Sequence, residues 1–132
     1  MKSRKERPHI TYLDGPFPIM VGYASSEKRF YREMKRLGIK DPLAFVTDGA
    51  SATTHILSST TSQTVCIVCL GSTKGKSPAQ VYALMVHEAV HCWQETRKAM
   101  REEEPSSEFE AYTIQHYAQR FMEEFAANRR KR

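Results

Sequence analysis

The sequence is poor in cysteine, in long apolar runs and in surplus acid. Only three of its 132 residues are cysteine. An odd count with no export signal argues against a disulfide framework and for a reducing, cytoplasmic setting. No apolar run approaches the ~20 residues that span a bilayer, so no membrane segment is expected. The basic opening Met1–Arg7 has no hydrophobic stretch behind it and does not read as a secretion signal. Internal repeats, long linkers and shifts in composition are also missing. Residues 1–132 therefore read as a single domain.

What is present is the composition of an ordinary globule, 40% hydrophobic and 27% charged. The formal charge of +5 is unevenly placed. Residues 1–7 and 129–132 together carry +7, and everything between them carries −2. Residues 1–7 and 128–132 are expected as flexible basic tails, and tail charge alone supplies only weak, salt-sensitive attraction to nucleic acid.

Residues 8–24, with Pro8, Pro16 and Pro18, read as an irregular lead-in followed by a short strand at Ile19-Met20-Val21. Ser25 or Ser26 can cap a helix whose apolar stripe is Phe30, Tyr31, Met34 and Leu37, with Gly38 at its C-terminal turn. Three strand candidates follow, at Ala44–Thr47, Thr53–Leu57 and Val65–Leu70. The last is apolar on both faces and belongs inside a covered sheet. Ser77-Pro78 opens a second helix, apolar nearly all round from Val81 to Trp93, which predicts a buried helix with Trp93 anchored on the sheet. A final helix is expected over 107–127. The order of elements predicts an α+β fold, with a small sheet of three or four strands and the last two helices packed on one face.

The second helix contains His87-Glu88-Ala89-Val90-His91. Residues four apart share a helix face, so both imidazoles can reach one ion at ~2.0–2.1 Å. Glu88 stands ~100° round the helix, where a general base would sit. Left unpartnered in an apolar helix, such a trio would cost several kcal/mol, and a bound cation removes that cost. A glycine and a histidine three and six residues after His91 would mark a metzincin, but Gln94 and Arg97 stand there.

A third ligand has two candidates downstream, Glu108 and Glu110. Ser107 and Glu110 have capping-box spacing, which gives Glu110 a structural role and leaves Glu108 free. Ala111 and Tyr112 follow on the same helix. This HExxH, followed by a helix bearing Glu-x-x-Ala and a side chain one turn on, resembles the gluzincin type of zincin metallopeptidase over about residues 78–120. The compact form also resembles metallopeptidase-like proteins of bacteria and their phages. The resemblance implies a minimal zincin-like domain and a zinc-dependent peptidase acting on a peptide or protein. His87, His91 and Glu108 would be the zinc ligands and Glu88 the base. Relatives often carry Asp or Asn at the Tyr112 position, so Tyr112 would bond a ligand histidine, stabilise an oxyanion or simply pack in the core. His116, eight residues after Glu108, would donate to a substrate oxyanion or sit solvated. The resemblance also puts residues 53–57 at the sheet edge that holds the peptide. The alternative is a catalytically silent zincin-fold module that binds protein or nucleic acid.

Geometry constrains the turn between the helices. Sixteen residues separate His91 from Glu108. A helix reaching Met100 climbs ~14 Å past His91 at ~1.5 Å per residue. Residues 101–107, at up to ~3.3 Å each, just return that distance, so the helix must end by about Arg101 with Glu102–Pro105 extended. Cys66-x-x-Cys69 before the two histidines imitates a zinc finger. However, residues three apart in a strand point to opposite faces, and buried, inert cysteines are expected instead. His55 in a strand and His9 in the lead-in are weaker candidates for function.

Overall fold

A computed structural model describes residues 7–58 and 63–130. Residues 1–6, most of the expected N-terminal tail, lie outside the described residues, as do 131–132 at the other end. The fold is α+β. Its elements are β1 (Thr11–Tyr12), β2 (Met20–Ala24), α1 (Glu27–Arg36), β3 (Ala52–Leu57), β4 (Val65–Leu70), α2 (Pro78–Met100) and α3 (Ser107–Arg130). The strands form one mixed sheet in the order β1-β2-β4-β3. The β2–β4 pair is parallel, and the two outer pairs are antiparallel. No helix among the described residues is long and apolar enough to cross a membrane.

Central β4 is covered on both faces, as its uninterrupted apolar run requires. Cys66 and Val68, with Val21 and Tyr23 of β2, meet Val81, Met85, Ala89 and Cys92 of α2 and Tyr117 and Phe121 of α3. Ile67 and Cys69 point the other way, onto Ile10 and onto Phe30 and Met34 of α1. The two cysteines of the Cys-x-x-Cys thus serve different cores. Burial pushes the Cys69 thiol's pKa up. A hydrogen bond with Cys66 does the same for Cys92, with burial adding to it.

Ser26 caps α1 by accepting from the Arg29 amide at 3.2 Å, and Gly38 takes a left-handed φ of 79° just past the helix end. Fully buried Glu33 accepts from the Tyr12 hydroxyl (2.6 Å), the His9 amide (3.0 Å) and the Arg36 guanidinium (2.6 Å). This network ties the lead-in and β1 to α1. β1 itself carries no sequence signal, being two residues long and flanked by prolines. Gly22 permits the close approach, since a Cβ there would fall 2.8 Å from Ile10 and 2.9 Å from Tyr12.

Several expectations are corrected. Ala44–Thr47 is irregular, because side chains use its backbone: Tyr31 accepts from the Phe45 amide, His55 bonds the Phe45 carbonyl and Thr53 accepts from the Thr47 amide. β3 already occupies the β4 edge. The α2 helix is not buried all round. Its outer flank leaves Tyr82 and Val86 exposed, because only the sheet and α3 cover it. Trp93 anchors α3 rather than the sheet, packing edge-on against Phe109 at 5.8 Å. Ser106, not Ser107, caps α3 by accepting from the Phe109 amide at 3.1 Å, so the Ser107–Glu110 capping box does not form. The expected stop at Arg101 is present: α2 ends at Met100, and Arg101 turns the chain with a left-handed φ of 57°.

The burial of Glu33 tends to raise its carboxyl pKa. Hydrogen bonds from Arg36, Tyr12 and the His9 amide outweigh that effect and hold it below the usual glutamate value. Its ionised form therefore stabilises the fold above pH ~4.3, and that contribution fades as pH falls through the lowered folded value. Glu33→Gln is expected to cost about 2–4 kcal/mol at neutral pH. In urea melts, the gap between wild type and variant should narrow on acidification below pH ~4. A gap independent of pH would contradict the network's role.

Candidate metal centre

The middle of α2 carries the site. Ser77 begins the helix with a complete capping box, its hydroxyl accepting from the Gln80 amide at 3.1 Å while Gln80 Oε1 accepts from the Ser77 amide at 2.7 Å. Two helical turns further on, the side chains of His87, Glu88 and His91 converge, with one ligand atom from each lying within 4.8 Å of the others. The two Nε2 atoms stand 3.2 Å apart. Two ligands ~2.0–2.1 Å from one tetrahedral ion would stand ~3.3 Å apart, so the imidazole pair fits a shared ion. On its other side, His91 Nδ1 meets Gln94 Oε1 at 3.1 Å. A carbonyl oxygen there can accept from an Nδ1–H, the tautomer that leaves the Nε2 lone pair for a metal.

Glu88 is only 3% exposed, while His87 is exposed and His91 half-buried. Burial of the trio therefore does not demand a cation. The Glu88 carboxylate is satisfied by the Thr54 hydroxyl of β3, donated to Oε1 at 3.3 Å. What favours a metal here is the separation of the two Nε2 atoms. Beside the pair, between β3 and α2, runs an open groove of about 710 Å³ with His87 and Glu88 in its wall.

This chain matches no family model, no curated protein and no solved structure.

The other sequence candidates are not brought to the trio. Glu110 Oε2 accepts the Trp93 indole N–H at 2.9 Å. Trp93 stands ~200° round α2 from His91, so the first turn of α3 packs on the flank facing away from that imidazole. Glu108, in the same turn, is exposed and outside the group, and Tyr112 is 65% exposed rather than packed in the core. His116 bonds the Asp14 carbonyl at 3.2 Å and lies 5.6 Å from the Phe17 ring, which gives it a structural role. His55 is buried, bonded to the Phe45 carbonyl at 2.9 Å and packed on Phe30. Gln94 and Thr54 also belong to the site, through His91 and Glu88. The i,i+3 spacing from His91 was the available signal for Gln94. Thr54 had none, because its partner lies on another element.

Three outcomes are expected. Glu110→Ala leaves the buried Trp93 N–H unpaired and should cost about 1–3 kcal/mol in a thermal melt, with zinc retention unchanged. Glu108→Ala should change neither, and zinc loss on its removal would show that α3 reaches the metal. If the imidazole pair holds zinc, Gln94→Leu should weaken that binding by about 10- to 100-fold in a competition titration. An unchanged affinity would remove Gln94 from the site.

Proposed function

We propose that this chain is a zinc-dependent peptidase in which His87 and His91 hold the metal and Glu88 is the general base. The observation that carries the reading is the 3.2 Å separation of the two Nε2 atoms beside a buried carboxylate. Zinc bound there would supply Lewis-acid polarisation of a carbonyl and a water acidified toward pKa ~7. Glu88 would take the water's proton on its carboxylate and pass it to the leaving amine. Thr54 orients that carboxylate from β3 through its hydrogen bond.

The sheet suggests how substrate is held. β3 is an edge strand, its inner side taken by β4 and its outer side outside the ladder. A peptide added to that edge would gain main-chain hydrogen bonds and pass His87 and Glu88 in the adjoining groove. With two imidazoles as the metal ligands among the described residues, the remaining coordination positions would be left to water and substrate, and zinc should be held loosely.

The same shortage favours the second reading, a zincin-like binding module without catalysis, since no carboxylate of α3 joins the cluster. Glu88→Gln separates the two. It should lower peptide cleavage by about 10²- to 10⁴-fold while zinc binding stays near wild type. A zinc-loaded wild type as inactive as Glu88→Gln on a broad peptide library would overturn the peptidase proposal.

A further inference from the structure

The groove between β3 and α2 has a charge of its own. Besides His87 and Glu88, its wall includes Ala52 of β3, Gln80 and Ala83 of α2, and Lys74 and Lys76 from the loop before the helix. The loop is held by its own backbone: Gly75 takes a left-handed φ of 78°, the Lys76 amide donates to the Thr73 carbonyl at 3.0 Å, and the Lys74 amide donates to Ser72 Oγ at 3.2 Å. Both ammonium groups are left out of that bonding, and neither meets a carboxylate among the described residues. Among the described residues, Glu88 is the one acidic residue lining the groove, and Thr54 and the protein interior enclose it. Two unneutralised lysines therefore flank a cavity whose other walls are small or neutral, and alanines at 52 and 83 leave room for a side chain.

We propose that this groove binds peptides through an acidic side chain, with Lys74 and Lys76 holding its carboxylate beside the histidine pair. The proposal rests on the peptidase reading for its choice of a peptide ligand. It names the substrate class that the groove prefers. The attraction acts on the bound peptide whether or not hydrolysis follows, so it can be measured apart from cleavage.

The test uses the full chain loaded with zinc and paired fluorescent peptides that are identical but for Glu or Gln at each position in turn. Fluorescence anisotropy is read on Glu88→Gln, which keeps the complex uncleaved, and cleavage is read on wild type. Partly exposed ion pairs give about threefold in affinity each, so the best Glu peptide should bind about tenfold tighter than its Gln twin at low salt. That preference should fall below about twofold in a variant that adds Lys74→Gln and Lys76→Gln, and in high salt. Both lysines are on a surface loop, and an unchanged melting temperature would confirm that the variant is folded. Twin peptides that bind alike, or a preference that survives the double lysine change, would overturn the proposal. Acid-selective binding without any cleavage by wild type would support the lysine site and sink the peptidase reading. Cleavage with no acid preference would do the reverse.

Discussion

Side chains of β4 alternate between two cores, and the rest of the architecture follows from that division. Cys66 and Val68 face α2 and α3, while Ile67 and Cys69 face α1. A strand buried on both faces cannot leave its backbone groups unpaired, so β4 takes a neighbour on each side. The parallel partner β2 lies on one side and antiparallel β3 on the other, which leaves β3 at the rim. Thr54 pairs with Val68 in register and so points to the α2 face, where it meets Glu88. The contact between edge strand and candidate base is thus a consequence of how the centre of the sheet is packed.

The 23 residues of α2 serve three environments at once. Val81, Met85, Ala89 and Cys92 fill the core. Trp93 holds α3 through Phe109 and Glu110 on one flank. His87 and His91 are on the other side, beside the groove. That arrangement explains why neither Glu108 nor Glu110 joins the histidines: the hydrogen bond that secures the helix pair commits the first turn of α3 to the opposite flank. It also explains why the histidines need no cation for the fold to be satisfied, since only Glu88 is buried and Thr54 already bonds it.

Much of this was legible in the residues. The stripe Phe30, Tyr31, Met34 and Leu37 marked α1, the unbroken apolar run marked β4 as central, and the strand period placed Cys66 and Cys69 on opposite faces. The stop near Arg101 was read from chain reach on the premise that Glu108 returns to His91; the stop is there although Glu108 does not join the histidines. Local propensity failed where side chains from elsewhere captured the backbone. Ala44–Thr47 is β-branched and apolar enough for a strand, yet Tyr31, His55 and Thr53 occupy its polar groups. β1 exists because Glu33 holds Tyr12 in place, a contact 21 residues away in sequence. The histidine pair was readable from i,i+4 spacing, whereas the side of α2 on which α3 packs was not. The capping-box spacing of Ser107 and Glu110 misled for the same reason, because the indole of Trp93 takes Glu110 and Ser106 supplies the cap.

The proposed site requires one metal ion shared by the Nε2 atoms of His87 and His91. Anomalous diffraction at the zinc absorption edge, from crystals grown with zinc, decides whether that ion is present. One peak is expected ~2.0–2.1 Å from both Nε2 atoms, beside Glu88 and with Gln94 on the far side of His91. No peak between the histidines in zinc-saturated crystals, or zinc bound by only one of the two, would contradict it.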